Sequence, residues 1–153
     1  MKARDIMTSP VHTIGEDETL STAAKMLLES KISALPVVNK HGDLVGILTH
    51  TDFFIHPKFI PGADSSVFKL LGEWVSPDSF EQVSRSVAPR SVKSVMRREV
   101  TTVSEDTDVK AIVELMLRHD VNRLPVVKDK KVVGIITRHD FLKLLSQQSA
   151  DTR

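Results

Sequence analysis

Thr49 and Asp52, and again Thr137 and Asp140, set a hydroxyl and a carboxylate three residues apart. Each pair follows a short aliphatic run, Val45-Gly46-Ile47-Leu48 or Val133-Gly134-Ile135-Ile136, which reads as a buried strand stopping at the Thr. A helix starting at the Asp would put both groups on a strand-to-helix turn, where open helix N–H groups favour an anion. A Thr, an Asp and an open helix start suit a sugar diol next to a phosphate. The glycine in each run suits a close approach of backbone. The same spacing also fits a helix cap, with Thr capping and Asp assisting.

Other chemistries find little support. The chain has no cysteine, which excludes disulfides, thiolate metal sites and cysteine nucleophiles. Its six histidines show no i, i+4 pair and no ligand spacing with a carboxylate, so no zinc site is expected. A glycine-rich phosphate loop, an activated nucleophile and a paired acid and base are all missing, and the expectation is a protein that is not an enzyme. With 21 basic and 20 acidic residues the net charge is +1, without the footprint of a nucleic-acid binder. Arg97-Arg98 reads as a solvated basic pair in preference to a pair of cations at the mouth of a cleft. No apolar run approaches the ~20 residues that span a bilayer, and Met1-Lys2-Ala3-Arg4-Asp5 lacks a signal-peptide core, so no membrane partner and a cytoplasmic location are expected.

The elements that must position the turns occur twice. Val11 to Ile14 alternates like a short strand, and Gly15 to Thr19 supplies helix-start signals. Leu20, Ala23, Ala24, Leu27 and Leu28 form the stripe of an amphipathic helix. A strand at Ala34–Val38, a hairpin loop at 39–43, a strand from Leu44 to Thr49 and a helix from Asp52 to about Ile55 complete a βαββα unit. Met96, Val100, Thr102, Glu105 and Asp106 follow Met7, Val11, Thr13, Glu16 and Asp17 by 89 positions. Leu124-Pro125-Val126-Val127 repeats Leu35-Pro36-Val37-Val38, and a hairpin loop one residue shorter brings the Thr and Asp back at 88. Between the copies the spacing predicts a loop at 56–62, a helix over 65–75 with Val67, Leu70, Leu71 and Trp74 on one face, and a second helix from Ser76-Pro77 to about Ser86. Trp74 and the apolar face of this insert read as core. The polar residues from Gln147 read as a frayed tail.

Met7-Thr8-Ser9-Pro10, Ser33-Ala34-Leu35-Pro36-Val37-Val38 and Gly46-Ile47-Leu48-Thr49-His50-Thr51-Asp52, each with its second copy, resemble the CBS domain. A tandem pair is similar to a Bateman module. The resemblance implies an α/β (α+β) fold of two βαββα units packed about a pseudo-twofold axis, here 3–55 and 93–146, with a helical insert at 56–92 and a tail at 147–153. It further implies a regulatory module that senses an adenosine-containing ligand in a cleft between the repeats and passes a conformational change to an effector protein. The ligand would be AMP, ADP or ATP, with S-adenosylmethionine or NAD as further members of that class, and no tightly held cofactor. Carried over by position, Asp52 and Asp140 would hold ribose hydroxyls, and Thr49 and Thr137 ribose or phosphate. Thr51 and His139 stand immediately before the two carboxylates, and Lys31 and Arg123 match basic residues that contact phosphate. Ser33-Ala34 and Asn122 depart from the His-Arg and His of the strongest phosphate binders, which argues against tight triphosphate binding at one cleft at least.

The alternative is a ligand-independent module that uses the fold as an oligomerisation surface. In either case the resemblance implies a homodimer formed through the helices. Met26 and Leu115 lie at equivalent positions about 130° from the centre of each stripe, and so are expected on the outer, partner-facing side, with cover by the insert through Trp74 or Phe80 as the competing account.

Overall fold

The computed structural model describes residues 1–55, 68–70 and 73–148. Mixed helices and strands form two compact units, residues 13–98 and residues 1–12 with 99–153. The fold class expected from the sequence is the one observed. No helix among the described residues is long and apolar enough to cross a membrane.

In the 13–98 unit, Thr19 caps helix α2 (Leu20–Glu29) by accepting the Thr22 N–H at 3.1 Å. Strand β1 (Ile14–Gly15) runs parallel to β2 (Ala34–Val38), and β2 pairs antiparallel with β3 (Leu44–Thr49) in the register Leu35 to Leu48. The first strand is thus shorter than the alternation over 11–14 suggests. β3 leads into the four-residue helix α3 (His50–Phe53), which gives way to β4 (Phe54–Ile55) where the sequence reading continued the helix. The helix expected over 65–75 is also corrected. Its described residues form β5 (Phe68–Leu70) and β6 (Glu73–Val75), a sheet with β4. Alternation explains the outcome: Val75 is fully buried while Trp74, on the other face, is 52% exposed. Phe80 is exposed as well. The next expected helix is present as a 3-10 turn (Pro77–Ser79) and α4 (Phe80–Val87). The expected loop at 56–62, and Val67 and Leu71, lie outside the described residues, as does the tail beyond 148.

The other unit repeats the plan. A short helix α1 (Ala3–Ile6) and helix α5 (Val109–His119) accompany the hairpin β7 (Arg123–Lys128) and β8 (Lys131–Thr137), and α6 (Arg138–Gln148) is much longer than its counterpart α3. A parallel bridge from Val103 to Val126 stands where β1 stands in the first copy.

Each unit is completed by a segment from far along the chain. Ala3 and Ile6 are buried with Ile112, Leu124 and Ile136, and Val87, Val92 and Met96 with Leu20, Leu35 and Leu48. Thr8 exchanges two backbone hydrogen bonds with Ile135 (2.9 and 3.1 Å), and Arg97 does the same with Ile47 (2.9 and 3.0 Å). Glycine admits both crossings, against backbone at Gly46 and against a methionine side chain at Gly134. A Cβ on Gly134 would stand 2.5 Å from the Met7 sulfur, and one on Gly46 would stand 2.6 Å from the Met96 sulfur and 2.9 Å from the Arg97 carbonyl oxygen.

These added segments also reset the helix faces. Leu20, Ala23 and Leu27 are buried as expected, but Leu28 is 78% exposed and Met26 packs against the core. In α5 Ile112 and Met116 are buried, Leu115 packs against the core and Leu117 is 77% exposed. The outward placement of Met26 and Leu115 is therefore overturned. The core-facing stripe is rotated by about 50° from the one read off the sequence.

Candidate functional site

Both Thr-x-x-Asp turns have one construction. Thr49 and Thr137 precede the first residues of α3 and α6, and Asp52 and Asp140 are third in those helices. Oδ2 of Asp52 accepts the Thr49 backbone N–H at 2.8 Å and its hydroxyl at 3.2 Å. Oδ2 of Asp140 accepts the same pair from Thr137 at 2.7 and 3.2 Å. This is the return arm of a capping box, in which the third helical residue secures the cap residue. The next N–H is also taken: His50 donates to the Ser33 carbonyl at 3.0 Å and Arg138 to that of Asn122 at 3.2 Å. The Asp half of the capping reading is present and uses one oxygen of each carboxylate, while each Thr hydroxyl donates to that oxygen.

The other oxygen differs between copies. Oδ1 of Asp52 accepts from Nε of Arg97 at 3.2 Å, in an ion pair whose Asp side chain is 10% and Arg side chain 64% exposed. Oδ1 of Asp140, a residue only 3% exposed, accepts from the Thr8 hydroxyl at 3.0 Å and meets the Lys143 ammonium at 3.4 Å. Thr8 and Arg97 each follow the methionine that lies over a glycine, 89 positions apart. Sequence reasoning did not single out Thr8 and left Arg97 to solvent. The signal was the repeat offset, which puts one residue beside each carboxylate.

The remaining candidates separate. The Thr51 hydroxyl lies 2.8 Å from that of Thr49, so it joins the first turn. His139 is exposed on the first turn of α6. Arg123 pairs with Thr137 across the β7–β8 ladder, which puts both side chains on one face. Lys31 has a different setting. It closes α2 in a left-handed conformation (φ 52°), and its counterpart is Asp120 (φ 49°) at the end of α5. The position equivalent to Arg123 is Ala34, opposite Thr49. One hollow, lined by Met1, Asp108, Val109, Lys110, Ala111 and Glu114 at the start of α5, holds none of these residues. Among the described residues no three of His, Asp and Glu converge as a metal site.

The CBS-domain family model matches residues 3–57 and 92–147. The chain belongs to the CBS-domain family. Protein MJ1426 of Methanocaldococcus jannaschii is 29% identical, over 95% of this chain and 91% of its own length. The CBS domain of a CBS-domain-containing membrane protein from Sphaerobacter thermophilus superposes with a TM-score of 0.71 at 35% identity, covering 94% of this chain and 87% of that one. The CBS domain pair of protein MJ0100, solved with 5′-methylthioadenosine and S-adenosyl-L-methionine, gives 0.69 at 26% identity, covering 97% and 98%. In other curated CBS relatives the matching stretch is part of a longer chain, of which this one spans between 22% and 45%.

Proposed function

We propose that this tandem CBS chain is a non-catalytic regulatory module that binds an adenosine-containing ligand, AMP, ADP or ATP, at its Thr-x-x-Asp turns. Binding would pass a conformational change to a partner protein. The observation that carries the reading is the division of labour within each carboxylate. Oδ2 holds the turn, while Oδ1 faces donors that a ligand can replace: an exposed arginine on Asp52, and an exposed threonine and lysine on Asp140. A carboxylate held rigidly by its own turn, with an exchangeable second oxygen, suits a ribose hydroxyl that donates a charge-assisted bond. The adenosine compounds bound by the MJ0100 pair support the ligand class.

A ligand that binds the native state at about 100 times its Kd should add roughly 2.7 kcal/mol, visible as a rise in melting temperature. The measurement is a thermal-shift series with AMP, ADP, ATP, S-adenosylmethionine and NAD, repeated on Asp52→Ala and Asp140→Ala. No shift with any of the five would sink the sensing reading.

A second reading, assembly as a homodimer, draws on Leu28 and Leu117. They occupy the same repeat position, and both are more than three-quarters exposed at 78% and 77%. Val113, one turn before Leu117, extends the apolar face of α5. If the chain dimerises and no ligand shifts its melting point, the assembly module replaces the sensor.

A further inference from the structure

We propose that Arg97 selects the charge of the ligand at the Asp52 turn, so that this site takes a phosphorylated adenosine in preference to the nucleoside. This rests on the adenosine-sensing reading above and adds a specificity-determining residue to it.

The main chain of Arg97 is fixed by its two hydrogen bonds to Ile47 (2.9 and 3.0 Å), so its side chain starts from a constant position beside the turn. The side chain itself is 64% exposed and touches Asp52 through Nε at 3.2 Å. A guanidinium carries five N–H donors in a planar fork, so the four on its terminal nitrogens are available to a second anion. Ribose hydroxyls reaching Oδ1 of Asp52 compete with Arg97 for one oxygen. A phosphate on the same ligand resolves that competition, since its oxygens take the guanidinium in the forked geometry arginine favours. The carboxylate then keeps the diol, the guanidinium gains the phosphate, and no charge loses its partner. A nucleoside displaces Arg97 from Asp52 and offers nothing in return. Opposite Thr49 stands Ala34, which carries no charge, and the cation paired with Asp52 is Arg97. In the other copy the position of Arg97 is held by Thr8, an uncharged donor, and the cation on the carboxylate is the Lys143 ammonium, which lacks arginine's planar fork.

The test uses the full chain carrying Asp140→Ala, so that the Asp52 turn reports alone. Calorimetric titrations with adenosine and AMP are run with Arg97 intact, with Arg97→Gln and with Arg97→Lys. With Arg97 intact AMP should bind at least about tenfold more tightly than adenosine, as a charged hydrogen bond to phosphate implies. Arg97→Gln should abolish that advantage and leave adenosine affinity equal or improved. Arg97→Lys should keep part of it, and added salt should narrow it. If the preference for AMP survives in Arg97→Gln, or both ligands weaken equally, Arg97 is not the selector, although the sensing reading stands. Binding of neither compound, to this chain or to the wild type, would overturn the selector, and the sensing reading falls with it if none of the five ligands shifts the melting temperature. Should Asp140→Ala fail to fold, Asp140→Asn takes its place, with the same outcomes deciding.

Discussion

The two turns share a backbone and differ in what neutralises them. Asp52 and Asp140 secure their threonines with the same two bonds, yet one carboxylate meets an exposed arginine and the other is buried against Thr8 and Lys143. The cation comes from the segment before the second repeat in one case and from α6 in the other. α6 can supply it because it runs 11 residues, whereas α3 stops after four and passes into β4. Duplication thus preserved the part that local bonding fixes, the cap, and released the part that depends on which segments cross it.

The largest effects should come from the glycines that admit the crossing segments. At Gly46 an added Cβ meets a backbone carbonyl oxygen (2.9 Å) as well as a methionine sulfur, and the carbonyl is held by the bonds between Arg97 and Ile47. At Gly134 every close atom belongs to the flexible side chain of Met7. Gly46→Ala should cost about 2–3 kcal/mol and Gly134→Ala about 1 kcal/mol in urea denaturation. Equal costs would mean that the two crossings are equally rigid.

Next come the carboxylates in the absence of ligand. Asp140→Ala strands the Thr137 N–H in a site where the Asp was 3% exposed, and should cost about 2 kcal/mol. Asp52→Ala also strands the Thr49 N–H, but at a carboxylate 10% exposed whose other partner, Arg97, already faces solvent, and should cost about 1 kcal/mol. A reversed order in chemical melts would show that the Arg97 pair, not burial, sets the stability of the turn.

The helix faces offer a smaller contrast in stability and a clear one in assembly. Leu28→Glu with Leu117→Glu should leave the folded chain within about 0.5 kcal/mol, while Met26→Glu or Leu115→Glu should destabilise it by more than about 1 kcal/mol. If the chain assembles through these faces, light scattering should find the wild type dimeric and the Leu28/Leu117 double variant monomeric. A dimer that survives would place the interface elsewhere.

The smallest effects concern two exposed ion pairs that tie the crossing segments down. Lys2 donates to Asp108 at 2.9 Å and holds that carboxyl below its ordinary pKa. Lys93 donates to Asp17 at 2.7 Å, which holds its ammonium above the ordinary lysine value. The contribution of Asp108 is present above the usual carboxylate pKa and is lost as pH falls through the lowered one. That of Lys93 is present below the usual lysine pKa and is lost as pH rises through the raised one. Asp108→Asn should therefore flatten the acid limb of melting temperature against pH, and Lys93→Gln the alkaline limb, both weakly and only at low salt.

Much of this was legible along the chain. Alternation and the Leu-Pro-Val-Val run located β2 and β7, and helix-start signals located α2 and α4. The offset of 89 positions, falling to 88 past the hairpin, revealed the duplication and with it both turns. These features are local, written in residues a few places apart. Residues 68–70 and 73–75 were misread because a short stretch with several apolar residues satisfies helical and strand spacing alike. Pairing with Phe54 and Ile55, a contact beyond that window, decided for strand.

The sequence by itself determined the two βαββα copies and the threonine and carboxylate of each turn, since caps, turns and strand periods are short-range bonding. Tertiary structure decided which partner each carboxylate receives and which helix face is left bare. Arg97 reaches Asp52 across 45 positions and Thr8 reaches Asp140 across 132, distances over which no periodicity runs. Leu28 and Met26 exchanged their expected places because Val87, Val92 and Met96 entered the core of α2 from far down the chain. A helical wheel counts only the residues on its own helix, and the side that becomes interior is fixed by whatever packs against it.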